Sequence, residues 1–198
     1  MEDILSRYYK SFAADIGTAI HEEAKEHILA HTKTSVKEAK NSLKRKLYKT
    51  KVKRGNRLVH IPVKAYDLDF LAPNFSNYVN DAIAYDMQPE VVLFYSELNA
   101  GTADTISFDK SRRILRIHDL KTGTTPTKFV QLENYAALYF LVYKRLHGVT
   151  PNDVKVELRI YQAGEIKEEY PTAEDILHLM DVVVYHTQVI SGEGGMIL

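Results

Sequence analysis

Over residues 11–31 apolar positions recur at helical spacing. Ile16, Ile20, Ala24 and Ile28 mark the pattern, which predicts a helix. Gly17, His21, Ala24 and Ile28 fall on one stripe, so His21 borders the buried face. Residues 34–48 continue as a second helix with a basic surface. From Thr50 to Lys64 polar and apolar positions alternate around Gly55 and Pro62, which predicts a hairpin or a mobile arm. Asn74–Met87 reads as a helix packing through Phe75, Tyr78, Val79 and Ile83. The period then changes. Val91–Ser96, Thr102–Phe108 and Ile114–Leu120 predict three successive strands, with turns at Asn99–Gly101 and Asp109–Arg112. Thr127–His147 reads as a long amphipathic helix stopped by Gly148, and Val154–Tyr161 as a fourth strand. Thr172 caps a last helix running to about Ile190, and the glycine-rich stretch 191–198 is expected to be loose. The order α, β-β-β, α, β, α defines an α/β chain with a mixed central sheet flanked by helices. It predicts a single domain over residues 1–198, with a basic arm or insertion at about 33–66.

Charge sharpens this picture. The net charge is zero, with 26 basic and 26 acidic side chains. Yet between Lys33 and Lys64 only Glu38 opposes a dense run of lysine and arginine. The acidic excess lies elsewhere, around Glu165, Glu168, Glu169, Glu174 and Asp175. Such asymmetry points to a polyanionic partner, the plainer alternative being a solvated basic helix face. Lys44, Arg45, Lys46, Lys51, Lys53, Arg54 and Arg57 are the candidate phosphate contacts. Tyr48, His60 and Tyr66 lie in or beside this segment and either stack on unpaired bases or pack the segment onto the core. The chain has no cysteine, which excludes disulfides, thiolate zinc sites and a cysteine-ligated iron–sulfur cluster. No apolar run approaches the roughly 20 residues that span a bilayer, and the first residues do not read as a signal peptide. The expectation is a cytoplasmic protein without a membrane partner.

The candidate chemistry sits on the predicted strands. Asp119 and Lys121 are two residues apart and share a strand face. Asp104 lies on the preceding strand, where a short turn brings it beside Asp119. Two carboxylates held that close repel each other unless a cation intervenes. Hard oxygen ligands suit Mg²⁺ or Mn²⁺. His21 could add a nitrogen ligand and the Leu120 carbonyl an oxygen. Such a metal polarises a phosphodiester and acidifies an attacking water, with Lys121 positioning that water or stabilising the developing charge. One ion or two remain open. Taken singly, each residue has a plainer reading: turn aspartates, a surface lysine, a locally bonded histidine. Gln131 and Tyr135, at i and i+4, are by themselves a packing pair. Glu90, after Pro89, is by itself an exposed strand residue.

Gly17-Thr-Ala-Ile-His21, Ala100-Gly-Thr-Ala-Asp104, Asp119-Leu-Lys121-Thr-Gly123 and Gln131-Leu-Glu-Asn-Tyr135 occur in that order. Together they resemble the RecB-like branch of the PD-(D/E)XK nuclease superfamily, over about residues 11–161. The resemblance implies a restriction-endonuclease-like αβββαβ core. It implies His21, Asp104, Asp119 and the Leu120 carbonyl as metal ligands, and Lys121 as the catalytic lysine. Gln131 and Tyr135 match a helix motif that approaches DNA and supports the active site. Glu90 stands where related phage-type exonucleases often carry a glutamate. Gly101 and Thr102 would serve the close approach of the strand to the metal site, or only the turn. The superfamily's proline is replaced by Ala103, and the four cysteines of iron–sulfur relatives are missing. No Walker loop or helicase motif is present, so the resemblance is to a stand-alone nuclease domain of a phage or mobile element in a bacterial cell.

The resulting expectation is a Mg²⁺- or Mn²⁺-dependent deoxyribonuclease, foremost an exonuclease acting on DNA ends or single strands in recombination or repair. A recombination protein is the expected partner, and monomer and oligomer both stay open. The alternatives are a structure-selective or nicking endonuclease, a non-catalytic DNA-binding module and an RNA-processing nuclease.

Overall fold

The computed structural model describes residues 4–190, apart from the side chains of 144–147; the tail expected to be loose, 191–198, lies outside the described residues. The chain is α/β, with a five-stranded mixed sheet flanked by helices. It divides into two compact units. One comprises the residues up to Met87 with Leu120–Pro126 and Ile160–Lys167; the other comprises Gln88–Asp119, Thr127–Arg159 and the residues from Glu168 on. Among the described residues, no helix is long and apolar enough to cross a membrane.

In the first unit the predicted helix over 11–31 is α2 (Ala13–Leu29), and a short helix that was not expected, α1 (Ile4–Lys10), precedes it. They separate at Phe12, which is fully buried and carries the Arg54 guanidinium 4.6 Å above its ring. Helix α2 buries Ile16, Ala19, Ile20, Ala24 and Ile28, the stripe that its sequence spacing demands. Helix α3 (Val36–Lys49) starts in a capping box: the Ser35 hydroxyl accepts the Glu38 N–H, and the Glu38 carboxylate accepts the Ser35 N–H. It buries Ala39, Leu43 and Leu47. Strands β1 (Lys51–Arg54) and β2 (Arg57–His60) pair antiparallel across a two-residue turn, where Gly55 supplies φ +58°. Val52 and Ile61 anchor this hairpin in the same core as α2 and α3.

Helix α4 (Leu68–Ala84) begins six residues before the predicted start at Asn74. The Asp67 carboxylate accepts the N–H groups of Asp69 and Phe70 and so caps it. Pro73 therefore lies inside the helix. Its ring removes one backbone hydrogen bond, and burial of Leu71, Ala72 and Phe75 offsets that loss.

In the second unit β3 (Gln88–Ser96) pairs antiparallel with β4 (Asn99–Asp109), and β4 with β5 (Ile114–Leu120). The turn is at Glu97–Leu98, and the expected turn residues Asn99–Gly101 open β4 instead. The Ser96 hydroxyl closes that turn early by accepting the Asn99 N–H, while the Asn99 amide donates to Thr187 at 2.8 Å. Helix α5 (Val130–His147) packs on β3 and β4, and α6 (Ala173–Ile190) packs on α5. Thr172 and Asp175 cap α6 reciprocally.

The sheet order is β3-β4-β5-β6-β7, with β6 at Lys155–Gln162 and β7 at Glu165–Glu169. Lys155 N–H donates to the Arg113 carbonyl and Lys121 N–H to the Tyr161 carbonyl. Residue numbers rise together along both strands, so β5 and β6 run parallel, with α5 as the crossover. Strand β7 is absent from the sequence reading because its Glu-rich composition resembles a solvated segment. Its signal is the two-residue turn Ala163-Gly164, with φ +53° and +80°.

The end of β6 is held from inside the first unit. Tyr161 is fully buried, lies edge-on to Tyr78 at 5.5 Å, and donates its hydroxyl to Asp81 at 2.6 Å. Tyr161→Phe keeps the ring and leaves a part-buried carboxylate without that donor, so a loss of about 1–3 kcal/mol in urea unfolding is expected. A variant as stable as wild type would show that the hydroxyl contributes nothing net.

Candidate active site

The antiparallel register aligns three carboxylates. Pro89 pairs with Thr105 and Val91 with Ala103, so Glu90 falls opposite Asp104. Thr105 pairs with His118, and one step further Asp104 faces Asp119. Glu90, Asp104 and Asp119 therefore form a row across β3, β4 and β5, and residues directly opposite one another share a face. A carboxylate oxygen of Glu90 and one of Asp104 lie within 4.8 Å of each other. Asp119 does not enter this closest set, although it is buried, at 4% exposure.

Glu90 has a second distinction. It is a non-glycine residue in mid-strand with φ +54°, in the left-handed region. Such a conformation costs of the order of 1–3 kcal/mol and persists where the surroundings enforce it, often at functional sites. This backbone angle leaves no trace in composition or periodicity, where Glu90 reads only as an exposed strand residue.

Lys121 follows the last residue of β5 and continues the β5–β6 ladder, its N–H donating to the Tyr161 carbonyl at 3.0 Å. By strand alternation its side chain shares a face with that of Asp119. Leu120 points the other way, into the core of the first unit. The loop after Lys121 is fixed from β6: the Gln162 amide donates to the carbonyls of Gly123 at 2.9 Å and Thr125 at 2.8 Å. Gln162 is buried and was not singled out in the sequence, where a glutamine at a strand end carries no pattern. In the same unit, α2 presents Gly17 to this loop. A Cβ there would stand 3.4 Å from the Thr122 hydroxyl, so the helix packs close to the Lys121-Thr122-Gly123 turn. His21 is one turn further along α2 and half-buried.

Gln131 and Tyr135 are brought together on α5, the Gln131 amide donating to the Tyr135 hydroxyl at 2.8 Å. Tyr135 also explains Gly101. A Cβ on Gly101 would meet the Tyr135 ring at 2.5 Å, so the glycine admits the tyrosine against β4. Gly101 lies within β4 and not in the turn, and the group that comes close to it is an aromatic ring.

Two electrostatic clusters border these residues in the second unit. Glu157 on β6 is buried among Arg159 at 3.1 Å, Arg116 at 3.5 Å and His118 at 3.6 Å. His118, then the two guanidinium groups, hold its carboxyl below the usual range against the opposing effect of burial. Glu133, between Gln131 and Tyr135 in sequence, is pushed up to about 7, by burial first and then by a shared hydrogen bond with Glu169 and the charge of Asp175.

The basic segment is less available than its sequence implies. Lys46 pairs with Glu26 at 3.0 Å and Glu22 at 3.4 Å, Lys40 with Asp69, and Arg54 with Asp15. Lys46 and Arg54 are thus engaged by acids of α2, which the count of nearby charges along the chain could not reveal. Lys44, Arg45, Lys51, Lys53 and Arg57 are exposed. Tyr66 packs on the core, while Tyr48 and His60 stack on each other with ring centroids 6.1 Å apart.

No family model, curated protein or solved structure matches this chain.

Gly101→Ala is expected to displace the Tyr135 ring and destabilise the protein by about 1–3 kcal/mol, an overpacking cost measurable by chemical denaturation. An unshifted unfolding midpoint would contradict the tight approach. Glu133 binds its proton more tightly in the folded state, so stability is full below about pH 4.5 and falls as pH rises to about 7. Glu133→Gln should flatten the thermal-midpoint profile across that window and raise stability at pH 8. A profile identical to wild type would rule out this assignment.

Proposed function

We propose that the chain is a metal-dependent nuclease hydrolysing phosphodiester bonds in DNA. The observation that carries this reading is the Glu90–Asp104 pair, two carboxylates within 4.8 Å of each other, one of them on a left-handed strand residue. That arrangement is repulsive unless a cation or a proton resolves it. The donor set of Glu90, Asp104 and Asp119 is all hard oxygen and fits Mg²⁺ or Mn²⁺. The resemblance to RecB-like nucleases adds His21 and the Leu120 carbonyl to the proposed ligands and gives Lys121 the catalytic part.

When bound, the ion would supply Lewis acidity toward the phosphate and toward an attacking water. In this reading the three carboxylates hold the ion, and Glu90 or Asp119 orients the water through a spare oxygen. The Lys121 ammonium stabilises charge that develops on the phosphoryl oxygens. Tyr161 and Gln162 act indirectly, by fixing the main chain on either side of Lys121. Tyr135 and Gln131 form the proposed DNA-facing wall. An exonuclease working on DNA ends is the favoured form.

The test is digestion of end-labelled linear DNA beside closed circular DNA in Mg²⁺, Mn²⁺ or EDTA. Wild type is expected to degrade only the linear substrate and only with metal. Lys121→Ala and Asp104→Asn should each lower the rate by about 10²-fold or more. Cleavage of the circle would replace the exonuclease with an endonuclease. Inactivity in every metal, with DNA still bound, would replace the enzyme with a binding module. Calorimetric titration with Mn²⁺ isolates Glu90: Glu90→Gln should weaken binding at least tenfold, and unchanged affinity would remove it from the ligand set.

A further inference from the structure

The first unit contains a groove of about 700 Å³ that none of the roles above uses. Its walls come from α1, the segment before α4, the start of α4 and the loop after Lys121. Three aromatic rings line it, Tyr9, Tyr66 and Phe70, together with the ammonium groups of Lys10 and Lys64 and, on the loop, Thr122. Asp67 is the acidic group on the wall, and its carboxylate is turned to the α4 N-terminus as the cap.

Flat aromatic rings interleaved with lysines, in an open groove, suit a chain of bases joined by phosphates. A duplex would present no base faces to these rings. The volume falls within the range of cavities that hold a ligand of nucleotide size. The groove also begins at Thr122, the residue after the proposed catalytic lysine, so a strand lying in it would lead into the Lys121 loop.

We infer that this groove binds unpaired nucleotides of the DNA strand being processed, stacking bases on Tyr9 and Tyr66 and pairing phosphates with Lys10 and Lys64. The inference rests on the nuclease reading for the identity of the strand, but binding can be measured without cleavage. It makes the substrate a single-stranded end, and of the rings expected to stack on bases it keeps Tyr66 and replaces Tyr48 and His60 with Tyr9.

Fluorescence anisotropy with labelled dT12 and a blunt 12-base-pair duplex, in EDTA to prevent cleavage, gives the test. Tyr9→Leu should weaken dT12 binding roughly tenfold, the loss of one base stack, and leave duplex binding unchanged. Lys10→Ala with Lys64→Ala should reduce the dependence of log affinity on log salt by about 1.4, two phosphate contacts on a single strand. Photocrosslinking of wild type with 5-iodouracil oligonucleotides needs no variant and should attach to Tyr9 or Tyr66. Attachment only outside the groove, or equal loss of duplex and single-strand affinity, would overturn the assignment. So would loss of self-association in Tyr9→Leu with dT12 binding intact, which would place a second copy of the chain there. Failure of the groove with metal-dependent cleavage intact leaves the nuclease standing. A groove that binds dT12 in a protein that cleaves nothing removes the nuclease and keeps the groove.

Discussion

The antiparallel register of β3 and β4, which sets Glu90 opposite Asp104, is the constraint on which the rest of the candidate site depends. Glu90 and Asp104 stand opposite each other in the register, with a carboxylate oxygen of one within 4.8 Å of one of the other. The backbone at Glu90 lies in the left-handed region, with antiparallel pairing on both sides of it. The same register carries the row on to Asp119. Because side-chain direction alternates along a strand, a one-residue slip anywhere between β3 and β5 would scatter the three acids to opposite faces.

The neighbourhood of that row is organised by packing. Gly101 yields its side-chain volume to Tyr135, Gln131 bonds to the same tyrosine, and Gln162 ties down the loop that follows Lys121. Tyr135 and the loop after Lys121 are thus each placed by neighbouring side chains or by the lack of one. The buried Glu157 cluster plays a comparable part between β5 and β6: removing either of its guanidinium groups would leave the Glu157 carboxylate incompletely compensated inside the sheet.

Much of this was legible in the sequence, for physical reasons. Helical stripes and strand alternation record which face is buried, and so α2, α3, β3, β4, β5, α5 and β6 could be read directly. Asp104, Asp119 and Lys121 could be singled out because their spacing reflects the strand period, whereas Gln131 and Tyr135 read as a packing pair that only the resemblance made candidates. The misses share a cause. The capping carboxylate of Asp67 moved a helix start past a proline, Ser96 closed a turn ahead of the glycine, and acidic residues concealed β7. Each is a single local hydrogen bond, or one turn conformation, overriding a compositional trend. The ion pairs of Lys46 and Arg54 and the backbone of Glu90 are tertiary facts, and no window of sequence contains them.

The bond from Lys121 to Tyr161 also has a bearing on assembly. It joins residues 40 positions apart (161 − 121), with all of α5 in between. Parallel pairing of this kind requires a long loop to close before any contact repays its entropy. The antiparallel ladders of β3, β4 and β5 are joined by short turns and face no such delay. The acidic row can therefore align before β6 arrives, whereas the main chain at Lys121 acquires its final constraint only when β6 docks. In a newly made chain the residues proposed to hold the ion would be in register before the lysine proposed to use it.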